Sequence, residues 1–307
     1  MENQTSITEF LLLGFSDLRE LQILHVLVFL SMYLAALIGN FRIICIVVQN
    51  RHLHSPMYFF LVNLSFLDAG YISTTVPKSM ANSIVNNKQI SYSGCVTQVF
   101  FIATFAIAEP LILTVMAYDR YVAICHPLKY TVIMNRNACF QMAAASWLSS
   151  AINAAVYTAN TFSLRFCSSN IVRQFFCDIP QLLKISCSDT SAMIWNLLAV
   201  TVIVGSFCFG FVFVSYGYIF SAVFKMQSVQ ARHKTFSTCI PHMTVFSLFL
   251  TTGIFSYLRP RSLSSAPVDL LSALLYAVLS PLLNPIIYCL RNSSWQPSVS
   301  KDYGIAL

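Results

Sequence analysis

The sequence predicts an all-α membrane protein, a bundle of seven transmembrane helices with an extracellular N-terminus and a cytoplasmic C-terminus. Composition is the first reason: 57% of the 307 residues are hydrophobic and only 9% are charged, whereas soluble domains carry about 25% charged residues. The second is a succession of seven apolar segments, each close to the roughly 20 residues that a helix needs to cross a bilayer. The third is the pair Asp119-Arg120 at the end of the third segment, because charge where a membrane helix meets water is costly unless it is paired or functional.

The predicted spans are separated by short polar loops. In order, they cover residues 24–48, 57–76, 95–116, 139–164, 192–224, 236–258 and 270–290. Residues 1–23 form an N-terminal tail, 24–290 the bundle and 291–307 a short C-terminal tail. Lipid offers no water to backbone groups, so runs of this length are expected to be helices. The N-terminal tail lacks a basic region before a short apolar core, so the first span is expected to act as its own insertion signal.

The orientation follows from charge. With the N-terminus outside, the inner loops and tail hold nine Lys and Arg residues, against five in the outer segments when the long 165–190 loop is omitted. Positive charge favours the cytoplasmic side. The sequon Asn3-Gln4-Thr5 predicts glycosylation of Asn3 on the outer tail.

Four of the ten cysteines fall on this outer side, where disulfides persist. They are Cys95, Cys167, Cys177 and Cys187. Four cysteines allow three pairings, and spacing alone does not choose between them.

Charge and composition exclude several function classes. The net charge of +7 is scattered between apolar segments, without the basic stripe that nucleic-acid binding requires. No metal-ligand set or nucleophile–base set is evident, so we expect no enzyme and no required cofactor. A transporter is disfavoured because no inverted repeat or matched pair of broken helices appears.

A series of motifs follows the predicted spans in a fixed order. They are Gly39-Asn40, Leu53 to Leu61, Asn63 to Asp68, Met116 to Tyr130, Ser146-Trp147, Ser215-Tyr216, Lys234 to Cys239 followed by His242, and Pro281 to Tyr288. Together they resemble the odorant receptors, a branch of the rhodopsin-like G-protein-coupled receptors, over roughly Thr8 to Asn292.

The resemblance implies a receptor in the plasma membrane, in the ciliary membrane of olfactory neurons. It would bind a small odorant and activate a stimulatory, olfactory-type heterotrimeric G protein, which raises cyclic AMP. The resemblance also implies the disulfides Cys95–Cys177 and Cys167–Cys187. A receptor of the same fold for an endogenous metabolite outside the nose is the alternative function.

The residues that the resemblance assigns to activation and G-protein coupling are Asp119, Arg120, Tyr121, Tyr216, His242, Asn284, Pro285 and Tyr288. Arg120 would pair with Asp119 at rest and help to receive the C-terminal helix of the G protein in the active state. The alternative is an arginine that merely extends its side chain to the membrane surface.

Similarity to rhodopsin-like receptors also places Asp68, Glu109 and Asn284 around one hydrated cavity. Two acids there are able to bind a sodium ion in the resting state. A hydrogen-bonded polar cluster with one acid protonated is the other interpretation, and both stay open.

The resemblance places the ligand between the helices, in their outer half. The expected lining is Ile102, Ala103, Ala106, Ile107, Val200, Thr201, Val204, Leu250, Gly253, Ile254, Tyr257 and Leu274. Nearly all are apolar and none is charged, which predicts a volatile, mainly hydrophobic ligand with at most one hydrogen-bonding oxygen. Each of them is equally compatible with ordinary packing.

Two features depart from the family pattern. Arg42 lies two residues after Asn40, where an aliphatic residue is expected. The tail 293–307 contains Pro297 and a single lysine, where the family usually continues into a basic amphipathic helix on the membrane. Poor surface delivery or coupling is therefore a further alternative.

Overall fold

The computed structural model describes residues 8–14, 18–167, 170–257 and 266–291, and they form a bundle of long helices. Six are continuous: α1 (Arg19–Gln49), α2 (Pro56–Val85), α3 (Tyr92–Cys125), α4 (Arg136–Phe162), α5 (Ser191–Phe224) and α6 (Val229–Tyr257). The seventh, α7, is α-helical over Ala266–Leu274 and Ser280–Arg291, with a π-helical turn at Leu275–Leu279 between them. The prediction of a seven-helix bundle is confirmed.

Most of the helices are long enough and apolar enough to cross a membrane. In the part of the chain that the structure describes, this holds for α1, α2, α3, α5 and residues 271–288 of α7. Helices α4 and α6 have similar lengths of 27 and 29 residues. Ser, Thr and Asn are interspersed among the apolar residues of α4, and Ser, Thr and His among those of α6, which lowers their mean hydropathy.

Side-chain and backbone caps fix several helix ends. Ser91 accepts a hydrogen bond from the backbone N–H of Gly94 at the start of α3, and Asn135 accepts one from Ala138 at the start of α4. These bonds satisfy amide groups that the first turn leaves unpaired. Helix α2 ends at Asn86, whose φ of 53° is left-handed, a conformation that commonly terminates helices.

Helix α3 lies at the centre and packs against α2, α4, α5 and α6. Two apolar clusters fill the bundle. One surrounds Met116 and Ile219 near Arg120, and we call this the Arg120 end. The other includes Phe29 and Phe175, towards the opposite end, where the disulfides lie; we call that the disulfide end.

The first and last helices approach closely at Gly39. A Cβ atom built at Gly39 would lie only 2.8 Å from Cβ of Pro285, so a larger residue would push α1 and α7 apart. Pro285 has no N–H to donate to the carbonyl of Pro281, one turn earlier. The side chain of Asn40 donates to that carbonyl at 3.0 Å instead. The Gly39-Asn40 pair therefore provides both the space and the missing donor for the proline of α7.

A small sheet covers the disulfide end. Strand β1 (Glu9–Leu12) lies between β2 (Gln89–Ser91), which pairs with it antiparallel, and β3 (Ile171–Val172), which pairs with it parallel. Phe10 of β1 is fully buried. Its ring contacts Tyr92, Phe162 and Phe166. Part of the segment expected to be a tail is thus built into the fold, which the sequence did not predict.

Candidate functional site

Two disulfides join the loop after α4 to the bundle and to itself. Cys95 at the start of α3 bonds to Cys177, with their Cα atoms 5.6 Å apart. Cys167 bonds to Cys187 within the loop, with a Cα separation of 5.8 Å. Both pairings implied by the resemblance are confirmed. Gln98, one turn after Cys95, accepts a hydrogen bond from the amide of Cys177 at 2.8 Å, so the loop is held by more than the covalent bond.

The short helix Ile179–Ile185 follows Cys177 in the chain, and Asp178 lies at the N-terminus of this helix. Burial raises the pKa of Asp178 to about 7, although the amide of Ile179 and the charge of Lys184 act in the opposite direction. Asp178 therefore changes its charge near neutral pH.

Part of the predicted ligand lining lies together beneath this covered end. Ile102 is buried in the cluster around Phe29 and Phe175, and Ala106 and Leu274 pack against the same cluster. Helices α3 and α7 therefore bring these three residues to one apolar region. Ala103 and Ile107 are half-buried on α3.

The other predicted lining residues are more dispersed. Leu250 packs against the cluster of the Arg120 end, Val200 and Val204 are half-buried, and Thr201 is exposed. No described atom lies within 4 Å of a Cβ built at Gly253. The side chains of Ile254 and Tyr257 lie outside the described residues.

A separate polar cavity opens at the disulfide end, and none of the predicted ligand residues lines it. Its lining residues are Leu12, Gly14, Gln22, His25, Ser79, Asn82, Ser83, Asn86, Lys88 and Phe175. The cavity volume is ≈ 20 Å³, which is room for one or two water molecules.

Asp68, Glu109 and Asn284, the residues expected around one hydrated cavity, lie together in the middle of the bundle. The side-chain amide of Asn284 donates to both carboxylate oxygens of Asp68, at 3.2 and 3.0 Å. Oδ1 of Asn284 and Oε1 of Glu109 are buried without a hydrogen-bond partner among the described residues. Carboxylate and amide oxygens are the ligands that hard cations prefer, so the chemistry of this cluster fits a sodium ion.

At the Arg120 end, Asp119 is fully buried and is held from two sides. Arg120 forms an ion pair with it, and the Arg120 Nε–H donates to Oδ2 at 3.0 Å. The hydroxyl of Tyr130, from the one-turn helix Tyr130–Ile133, donates to Oδ1 at 2.7 Å. Burial and the nearby Asp119 charge raise the pKa of Tyr130, so its phenol remains a donor. Tyr121 contacts His126 at 3.0 Å.

A buried histidine joins three helices nearby. Nε2 of His242 on α6 lies 2.8 Å from the carbonyl oxygen of Leu113 on α3, which can only accept, so Nε2 carries the proton. Nδ1 then accepts from the hydroxyl of Tyr216 on α5, also at 2.8 Å. Each polar atom of the ring is satisfied only while α3, α5 and α6 keep this arrangement.

The hydroxyl of Tyr288 is buried without a hydrogen-bond partner in the described structure.

Sequence reasoning named Tyr216 and His242 but missed that they bind each other, and it missed Tyr130 as a partner of Asp119. The sequence signal for Tyr130 was weak: Tyr130 is the last residue of the motif that contains Asp119, but it lies eleven residues after Asp119. The acceptor on Leu113 is a backbone carbonyl, and such a group leaves no signal in side-chain identity.

The fold of this chain matches that of a protein of known structure. Squid rhodopsin superimposes with a TM-score of 0.73 at 16% identity, with 94% of this chain and 82% of that chain covered. The helix bundle is therefore a rhodopsin-like G-protein-coupled receptor fold.

Sequence comparison identifies the family within that class. A family model for olfactory receptors matches residues 29–303. The human Olfactory receptor 14A16 is 50% identical over 294 residues, which is 96% of this chain and 95% of that protein. The human Olfactory receptor 14I1 is also 50% identical, over 95% of this chain and 94% of that protein. The chain belongs to the olfactory receptor family, and it is a multi-pass membrane receptor and not an enzyme.

Proposed function

We propose that this receptor binds a small, mainly hydrophobic volatile odorant within its helix bundle and activates a stimulatory, olfactory-type G protein, which raises cyclic AMP. The observation that carries the coupling proposal is the hydrogen-bonded junction of His242 with Leu113 and Tyr216, which joins α3, α5 and α6 near Arg120. Such a junction is either made or broken, so it suits a bundle with two packings.

The ligand proposal is supported by the apolar cluster that Ile102, Ala106 and Leu274 share. Val200, Val204 and Leu250 would complete the site from α5 and α6, with Thr201 and Tyr257 as the hydroxyl-bearing residues. A charged amine or carboxylate would find no opposite charge among these side chains. Transfer of apolar surface from water supplies the affinity, at about 25 cal/mol per Å².

Activation would be a shift between the two packings. A ligand favours the packing that it binds more tightly, and only this difference in affinity drives the change. An outward movement of α6 at the Arg120 end separates His242 from Leu113 and releases the Tyr216 hydroxyl towards Arg120. Tyr130 keeps Asp119 paired at rest and holds Arg120 in place through it.

A sodium ion would favour the resting packing. Asp68, Glu109 and Asn284 would hold it, because their oxygens come from α2, α3 and α7 and a cation would offset the charge of two ionised carboxylates. The N-terminus would lie outside with the sheet and disulfides, and the Arg120 end would face the cytoplasm. In olfactory neurons, the ciliary membrane is where the receptor would act.

A cyclic AMP reporter assay against a panel of odorants tests the proposal. Replacement of Arg120→Ala should abolish the response while surface expression persists. The matched control is Arg136→Ala, since Arg136 is an exposed arginine at the same end of the bundle. A normal response in Arg120→Ala would contradict the coupling mechanism.

A second pair of variants tests the ligand site. Ala106→Phe should raise the half-maximal odorant concentration by a large factor, because the added ring fills the space beside Ile102 and Leu274. Ala155→Phe places the same ring on the exposed face of α4 and should leave the response unchanged. Amines or carboxylic acids as the best ligands would contradict the apolar site.

A further inference from the structure

Helix α1 has one face towards the bundle and one towards lipid. Its buried residues are Gln22, Phe29, Ala36, Asn40, Ile43 and Val47. The opposite face exposes large apolar side chains at helical spacing, with Ile38 66%, Phe41 49% and Val48 65% exposed. Arg42 and Cys45 are exposed on that same face. Arg42 is thus a cation on a surface that otherwise consists of apolar side chains.

The guanidinium of Arg42 has no counterion within the described protein. No hydrogen bond or ion pair joins it to any described residue. Arg19, at the other end of the same helix, contrasts with it, because it donates to Gln22 and to the carbonyls of Ser83 and Ile84. The two arginines of α1 therefore differ in whether the protein satisfies them.

The position of Arg42 makes an unpaired guanidinium costly. It lies seven residues before Gln49, the last residue of α1, which is about 10 Å along the axis at 1.5 Å per residue. An arginine in the hydrocarbon is costly at the centre of a helix, and less so if its head reaches the interface. Its long side chain can extend towards the headgroups at the Arg120 end.

Among the described residues, no acid is available to Arg42 as a counterion. Asp68 and Glu109 are buried in the interior of the bundle, and Asp119 is already paired with Arg120. The chain as a whole carries seven more positive than negative charges. In a bilayer, the anion within reach is a phospholipid phosphate, which a guanidinium binds with two parallel hydrogen bonds.

We propose that Arg42 is a binding site for an anionic phospholipid of the leaflet at the Arg120 end. Its guanidinium holds the phosphate, and an acyl chain lies along the ridge of Ile38, Phe41 and Cys45. A zwitterionic lipid brings its own cation and does not neutralise Arg42, whereas a net anionic lipid does. The site therefore prefers phosphatidylserine to phosphatidylcholine. This inference is independent of the odorant and of the G protein.

Native mass spectrometry of the full-length receptor tests the site. The purified receptor is equilibrated with an equal mixture of phosphatidylserine and phosphatidylcholine, and the bound lipids are counted. The wild-type receptor should retain phosphatidylserine about fivefold over phosphatidylcholine, the ratio equivalent to about 1 kcal/mol for one arginine near an anionic surface. Arg42→Leu should lose this preference, and Arg42→Lys should keep a smaller one.

The control is Arg51→Leu, which removes an exposed positive charge at the same end of the bundle, in the turn just after α1. It should leave the preference unchanged. Leucine suits a lipid-facing position, so Arg42→Leu should insert and fold. An unchanged preference in Arg42→Leu, or an equal loss in Arg51→Leu, would overturn the proposal. So would a receptor dimer that Arg42→Leu abolishes, because the counterion would then be a protein.

Discussion

The two ends of the bundle are held together by different forces. At the disulfide end, two disulfides, a three-stranded sheet and the buried ring of Phe10 join the N-terminal segment, α3 and the loop after α4. At the Arg120 end, the links between helices are hydrogen bonds, such as those of His242 and of Tyr130. A native disulfide contributes about 2–5 kcal/mol, whereas one hydrogen bond contributes about 0.5–1.5 kcal/mol net.

This difference determines which end can respond to a ligand. To reverse a two-state population from 1:99 to 99:1, a ligand must favour one state by about 5.5 kcal/mol. A small apolar molecule can supply a difference of that size, and it is enough to exchange a few hydrogen bonds. The same free energy is not enough to break the two disulfides and the sheet that cover the disulfide end. We therefore expect the disulfide end to stay fixed while the Arg120 end changes its packing.

The largest expected effect is at the disulfide between Cys95 and Cys177. Replacing both with serine removes a cross-link over 82 residues, which costs about 4.5 kcal/mol in the chain-entropy relation. We expect loss of surface expression, measured by antibody labelling of intact cells.

The Cys167–Cys187 pair is the matched comparison. It spans only 20 residues, so its removal should cost about 3.3 kcal/mol by the same relation. Expression of the second variant should therefore exceed that of the first. Equal, wild-type expression of both would mean that the cover does not depend on its covalent bonds.

The next effect concerns the ring of Phe10. Phe10→Ala leaves a cavity between Tyr92, Phe162 and Phe166, and such truncations cost about 3–5 kcal/mol. We expect the purified Phe10→Ala receptor to have a lower melting temperature than the wild type, measured by fluorescence. Glu9→Ala, on the exposed neighbour in the same strand, should change little. A loss in Phe10→Ala as small as that in Glu9→Ala would show that β1 is held by its backbone and not by this ring.

The contrast between the ends also explains what the sequence could and could not predict. The helices depend on runs of apolar residues that are local in the chain, so the apolar pattern predicts a helical membrane bundle. The sheet depends on contacts between residues far apart, such as Phe10 with Ile90 and Leu12 with Val172. Strands of two to four residues carry too little alternation to be recognised.

The functional residues likewise divide into those that sequence motifs predicted and those that depend on the packing of distant segments. The disulfide pairing and the meeting of Asp68 with Asn284 were expected from motifs that resemble a family. The donor that Asn40 provides to Pro281 was not expected, although Pro285 is visible in the sequence. The carbonyl that a proline leaves unpaired is evident, but which side chain reaches it depends on the packing of α1 against α7.

A smaller effect on stability is expected at the Arg120 end. Tyr216→Phe removes the donor to His242 and should lower the free energy of unfolding by about 1–3 kcal/mol, because a buried ring nitrogen is left unsatisfied. The odorant response should change far more, with altered basal and maximal cyclic AMP. Tyr218→Phe, at a position 60% exposed on the same helix, is the control, and the interpretation fails if the two variants behave alike.

The smallest effect is a dependence on pH at the disulfide end. The pKa of Asp178 is about 7 in the folded protein, against about 3.9 for an unperturbed aspartate. Between these values the folded state binds more protons than the unfolded state, so the stability contributed by Asp178 is present at low pH and is lost as the pH rises towards 7. The melting temperature of the wild type, relative to Asp178→Asn, should therefore increase as the pH falls from about 7 to about 5.

Asp189→Asn is the control for this titration. The amide of Ser191 donates to the Asp189 carboxylate at 2.9 Å, and this bond lowers the pKa of Asp189. Asp189 is therefore already ionised throughout the interval from pH 5 to 7, and its replacement should shift the melting temperature equally at both pH values. Parallel profiles for the wild type and Asp178→Asn would show that Asp178 ionises freely. The cover at the disulfide end would then be held by its disulfides and apolar contacts alone, without a contribution from the protonation of this carboxyl group.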